Sequence, residues 1–309
     1  MKTVIKSPDV PLTTLDGHRV LLTAAVSTVD EAYRAMEEGA EGIGLFRCES
    51  LYRNGGPPGE EDLLNIYQAL AALDALRPPV VRLPDLDWHE WAGHETEKNP
   101  ALGRRGIRLL LSAPELLRPQ LRALLRAAGP FHVLLPFVSS VTEVLRVKQL
   151  LNDLGEELAA RGEPWGNPVV GLMADLPAVL AASDIMCCEA NFFHAGDHMV
   201  RYVMGTDDAD LFDAAFLLQC LLLVERMHRR HKKVAVSTRL VNEPAAIPVL
   251  IGLGFDELTV PTGALAATRQ LVRETRHNTA RLVAAKVTSF WEPGQAREYA
   301  REALARVRI

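Results

Sequence analysis

Arginines and carboxylates recur directly after short apolar runs along this chain, which is where parallel α/β architectures place their chemistry. Arg47, Cys48 and Glu49 follow the run 42–46, and the run 80–83 holds Arg82 and leads through Pro84 to Asp85. Asp175 follows 169–173, Gly196, Asp197 and His198 follow 192–195, and Ser237 ends 234–237 ahead of Thr238 and Arg239. The guanidinium groups of Arg47, Arg82 and Arg105 offer planar forks that grip a carboxylate or a phosphate through two parallel hydrogen bonds. Asp85 belongs to the same substrate-facing group. Asp175 and Asp197, at the ends of neighbouring strands, are hard oxygen donors suited to Mg²⁺ or Mn²⁺, with water and substrate oxygens completing an octahedron. An anion held between arginines and such a cation is the arrangement that stabilises enolate or phosphoryl charge. Ordinary readings stand beside these. Asp175, before Leu-Pro-Ala, also suits a helix N-cap, and Arg47 or Arg82 could be a structural ion pair. His194 and His198, four apart, read as a core histidine and a loop residue rather than a zinc pair. These residues locate a site without naming a reaction.

The elements that must position them alternate from end to end. Eight short apolar runs read as strands: 19–23, 42–46, 80–83, 132–136, 169–173, 192–195, 234–237 and 257–260. Eight is the number that closes a (β/α)₈ barrel with no exposed edge. Between them, 29–38, 60–76, 113–127, 141–161, 211–230 and 264–287 carry apolar residues at helical spacing. A further C-terminal helix, 293–307, is expected on the barrel's exterior. The expectation is an α/β TIM barrel with an extra C-terminal helix, residues 1–309 forming a single domain. The connections 53–59 and 86–99 are long, and the second is rich in Trp, His and Glu, which suits a lid or a surface excursion.

Bulk composition narrows the function class. Across 309 residues the formal net charge is -5, with 48% hydrophobic and 24% charged residues. This suits a globular protein with a substantial core and argues against general nucleic-acid or membrane-surface binding. The N-terminal stretch lacks the apolar core of a signal peptide, and no apolar run approaches the roughly 18 residues that span a bilayer. Cys48, Cys187, Cys188 and Cys220 lack metal-type spacing and read as reduced thiols of a cytoplasmic protein, the last three as core residues.

Motifs in context go further. The stretch 13–52, with GIGLFR at 42–47, resembles the PEP-binding barrel of the PEP-utilising enzymes, the family of enzyme I of the bacterial sugar phosphotransferase system, PEP synthase and pyruvate phosphate dikinase. The resemblance continues through NPALGRRGIR at 99–108, LLPFVSS at 134–140, GLMADLPA at 171–178, FFHAGDHMVRY at 192–202 and GLGFDEL at 252–258, in family order over nearly the whole chain. It implies that Arg47 and Arg105 anchor phosphoenolpyruvate and that Arg82 matches a third-strand arginine. It places Asp175 where the family has a glutamate ligand of Mg²⁺. The second family ligand lies in Gly-Thr-Asn-Asp-Leu-Thr-Gln-Tyr; this chain is one residue shorter there, so either Asp197 or His198 takes that position. A homodimer is the family-based expectation.

Departures are as informative. Ser237 stands at the position of the family's catalytic cysteine, and a serine hydroxyl is a poor replacement acid for a thiol. The position of the arginine expected after the metal motif falls near Asp207 and Asp208, so that arginine is lost, and the lysine expected after strand three is absent from Asp87-Trp88-His89-Glu90. The family's phosphohistidine sequence does not occur here, so complete phosphotransfer is expected to need a partner protein that carries it. Three functions are in view: a metal-assisted binder of phosphoenolpyruvate or a related 2-oxo acid, a metal-dependent lyase or aldolase on a 2-oxo acid, or a non-catalytic ligand- or partner-binding relative.

Overall fold

The computed structural model describes residues 11–53, 56–92, 97–99, 102–127 and 129–306. Eight parallel strands close a barrel in sequence order: β1 (Leu21–Val26), β2 (Ile43–Arg47), β3 (Val80–Arg82), β4 (His132–Leu135), β5 (Val169–Ala174), β6 (Phe192–Ala195), β7 (Lys233–Val236) and β8 (Glu257–Pro261). Closure is made by β1 and β8, paired from Leu21 against Glu257 to Ala25 against Pro261. The chain is an α/β TIM barrel.

Alternation of side chains across each strand produces two separate apolar cores. Outward residues such as Leu22, Val81, Leu135, Leu172, Phe193 and Leu258 join the helices in one large cluster. Leu45, Val80, Leu134, Met173 and Phe192 form a second, small cluster inside the barrel. Polar groups share that lumen: Thr23 donates to Glu257 at 2.6 Å, and the Phe192 ring contacts His132 and His194 at 4.9 and 5.9 Å between centroids.

Helix starts follow local chemistry. Thr28 caps Val29–Glu37, Ser140 and Glu143 form a capping box at Val141–Ala160, and Asp213 caps Ala214–Arg229. The expected 264–287 helix is instead two, Leu265–Glu274 and His277–Val287. Thr275 breaks it by turning extended and burying its side chain, and Asp16 accepts from the backbone N–H groups of His277 and Asn278 to start the second helix. The C-terminal helix Pro293–Arg306 packs on His277–Val287 and Ala246–Gly252; residue 307 of the expected span lies outside the described residues.

The long connection after β3 is partly ordered by its own contacts. A short helix, Trp88–Ala92, is tied back by Trp88 N donating to Arg104 O at 2.8 Å, with the Arg104 guanidinium 3.4 Å over the Trp88 ring. Residues 93–96 of that connection, and 54–55 of the one after β2, lie outside the described residues, as does the 1–10 stretch read for a signal peptide. All four cysteines are free; Cys187 and Cys220 are buried, whereas Cys188 is exposed and not the core residue its apolar surroundings suggested. Among the described residues no helix is long and apolar enough to cross a membrane.

Candidate functional site

Parallel pairing sets Arg47 at the end of β2 directly beside Arg82 at the end of β3. The two then diverge. Arg47 is exposed and makes no hydrogen bond or ion pair with the described residues. Arg82 is nearly buried, and its Nη2 donates to Glu49 Oε1 at 2.8 Å. The same Glu49 oxygen accepts from the backbone N–H of Asp85 at 2.9 Å, so one carboxylate fixes the ends of both strands. Burial alone would make the Arg82 guanidinium less basic, but the charges of Glu49, Asp85 and Asp175 raise its pKa.

Asp85 is buried and receives a two-pronged grip from Arg105, with Nε at 2.8 Å and Nη2 at 3.0 Å. Arg105 Nη2 also lies 2.9 Å from His198 Nε2, and that nitrogen is 3.4 Å from Asp85 Oδ2. Burial opposes ionisation of Asp85, yet the hydrogen bonds from His198 and Arg105 and the charge of Arg82 hold its carboxyl below the usual range. The turn carrying Arg105 depends on Gly106, whose φ of 51° and close approach to Phe137 and Pro136 leave no room for a side chain.

Phe137 joins the two halves of the mouth. Its ring is 5.2 Å from the Arg105 guanidinium, and its backbone N–H donates to Asp175 Oδ2 at 3.1 Å. Asp175 is fully buried, and its other oxygen, Oδ1, has no hydrogen-bond partner among the described residues. Burial and the neighbouring Asp85 charge raise its pKa, against the opposing pull of His198 and Arg82. The helix just beyond it, Pro177–Ala181, has no side-chain cap, so the N-cap reading of Asp175 does not describe this structure. Gly196 allows the close fit, because a Cβ there would run into Asp175 Oδ1 and Met173.

Asp197 and Ser237 lie towards β7. Asp197 Oδ1 accepts from Arg239 N at 2.8 Å, and Oδ2 is 3.6 Å from Arg239 Nε. Ser237 is half-buried at the end of β7, with its Oγ buried and without a hydrogen-bond partner among the described residues. Arg82, Asp85, Arg105, Asp175 and His198 therefore form one connected group, with Arg47 on its rim and Asp197 and Ser237 to one side. Sequence reasoning gave no role to Glu49 or Phe137, although both lie just past strand ends that had been singled out. A cleft of about 460 Å³ opens on the group, lined in part by Leu102, Arg105, His198, Arg201 and Tyr202.

A resident Mg²⁺ would need one or two carboxylates free to turn to one point, with water and substrate oxygens completing its octahedron. Here Asp85 is spent on Arg105, Asp197 faces Arg239, and His198 Nε2 lies against Arg105. Asp175 Oδ1 is the open carboxylate oxygen of the connected group. Among the described residues no group of three or more His, Cys, Asp or Glu side chains is placed to hold a metal ion. This donor set does not fit the cation.

Residues 2–277 match the family described as PEP-utilising enzyme, PEP-binding domain. The chain belongs to that family. It is similar to a phosphoenolpyruvate-protein phosphotransferase of Staphylococcus carnosus (strain TM300), 33% identical over 290 residues that cover 87% of this chain and 50% of the relative. A multiphosphoryl transfer protein of Xanthomonas campestris pv. campestris is 33% identical over 280 residues, covering 85% of this chain and 33% of that protein. The PEP-binding-domain chain thus spans half or less of the length of these relatives. A solved citrate lyase structure from Burkholderia xenovorans LB400 superposes with a TM-score of 0.53 at 13% identity, covering 93% of this chain and 92% of that one, a likeness of fold alone.

Proposed function

We propose that the mouth of this barrel binds phosphoenolpyruvate or a closely related 2-oxo acid, with Arg47, Arg82 and Arg105 receiving its carboxylate and phosphate. The observation that carries this reading is the pairing of Arg47 with Arg82 across adjacent strand ends, next to an Arg105 held rigid by Asp85. A guanidinium locked in place by a buried carboxylate keeps its remaining N–H groups aimed, so little ordering is lost when an anion arrives. Membership of the PEP-binding-domain family supports the choice of anion.

On this reading residues 1–309 act as one barrel domain of a cytoplasmic homodimer related to the phosphotransferases, with a phosphohistidine-bearing protein as phosphoryl acceptor. No step is assigned to Mg²⁺, because the donor geometry at Asp175, Asp197 and His198 does not favour it. Ser237 favours a second reading, a relative that binds the ligand without turning it over: among the described residues its hydroxyl has no hydrogen-bonding base to take or return a proton. Isothermal titration with phosphoenolpyruvate, oxalate and pyruvate tests the binding claim. Heat is expected with at least the first two and is expected to vanish in Arg47→Ala; no heat from any of them sinks it.

A further inference from the structure

We infer that this barrel holds its anionic ligand without a divalent cation, the linked Arg105 and His198 side chains filling the metal's place beside Asp175. The inference rests on the anion-binding reading above and specifies how that site balances charge.

His198 Nε2 is 2.9 Å from Arg105 Nη2, a nitrogen that always carries protons. If Nε2 is unprotonated, its lone pair accepts from Arg105. If it is protonated, it points its N–H at Asp85 Oδ2, 3.4 Å away. In neither tautomer is Nε2 open to a metal, and imidazole is in any case a poor donor for Mg²⁺. Arg105 cannot readily swing aside, because both oxygens of the buried Asp85 hold it. Asp197, the other residue at the second ligand position, accepts from the Arg239 backbone at Oδ1 and faces the Arg239 guanidinium at Oδ2, 3.6 Å away, so a cation already stands against it.

Among the described residues Asp175 would then be the lone protein ligand, offering Oδ1 alone. A cation that dehydrates reluctantly would gain one bond at about 2.0–2.1 Å and lie close to two guanidinium groups that repel it. Phosphoenolpyruvate or oxalate meets the opposite situation, since Arg47 has no competing carboxylate among the described residues. The cationic edge that the anion needs is already supplied by side chains.

The experiment uses the full chain and has two arms. In the first, Mn²⁺ is titrated without anion and followed by electron paramagnetic resonance; the signal of free Mn²⁺ is expected to persist undiminished. In the second, phosphoenolpyruvate and oxalate are titrated calorimetrically in EDTA and in excess Mg²⁺, with Kd values expected to agree within about twofold. Stoichiometric loss of the free Mn²⁺ signal, or binding more than about tenfold tighter with Mg²⁺, would overturn the metal-free site while leaving the anion-binding reading intact. An absence of binding in both buffers overturns both.

Discussion

Arg47 and Arg82 are neighbours in register, yet their surroundings make their substitutions separable. Arg47 is exposed and unpaired among the described residues, so Arg47→Ala is expected to shift stability by no more than about 0.5 kcal/mol while abolishing anion binding. Arg82 neutralises Glu49 inside the wall of the mouth. Arg82→Ala strands that carboxylate in a desolvated pocket and is expected to cost about 3–5 kcal/mol together with binding. Urea unfolding beside calorimetry checks the pair; equal stability losses would show that the two arginines are not distinguished as described. The strand ends made Arg47, Arg82, Asp85 and Asp175 legible from the sequence, because a charged residue at the close of a short apolar run is a local signal. The choice between Asp197 and His198 was not legible. Each is engaged by a residue distant in sequence, His198 by Arg105 at 93 positions and Asp197 by Arg239 at 42.

At the level of elements, the eight strands were readable because parallel strands buried on both faces are uninterrupted apolar runs. The shift of β1 from the expected 19–23 to Leu21–Val26 reflects its pairing with β8, which begins at Leu21, and the small residues Ala24 and Ala25 that let it continue. Short helices such as Pro177–Ala181, Ser183–Glu189 and Ala246–Gly252 were missed, since fewer than two turns establish little periodicity. One of them carries a sharp packing constraint. Gly252 ends Ala246–Gly252 against His277–Val287, and a Cβ there would strike the backbone carbonyl of Ala280. Backbone cannot move aside as a side-chain tip can. Gly252→Ala is therefore expected to destabilise by about 1–3 kcal/mol, read as a lowered urea midpoint, even though alanine ordinarily favours helix. An unchanged midpoint would mean that the two helices separate more freely than their packing indicates.

Closing the sheet on itself commits the whole molecule to a lumen, and this lumen contains ionisable groups. His194 is fully buried and neither ring nitrogen has a partner among the described residues. Burial, reinforced by the charges of Arg77, His132 and Arg82, keeps its pKa well below that of a free imidazole. His132 is pulled down to about 4 by burial and by Arg77. Once unfolded, both rings titrate near their ordinary value of about 6.5. Below that pH the unfolded chain takes up protons that the fold refuses, so stability falls as pH drops from 7 towards 5. Asp175, whose pKa is raised chiefly by burial, acts in the opposite sense, because the fold protonates it before the unfolded chain does. His18 and His277, stacked outside the barrel with depressed pKa values of their own, add to the loss. These other groups are present in both proteins when wild type is compared with His194→Gln, so their contributions cancel to first order. The wild type is expected to lose up to about 1.4 kcal/mol more per pH unit than the variant, measured as unfolding free energies in urea at pH 7, 6 and 5. Parallel pH profiles would show that His194 accepts its proton inside the closed barrel.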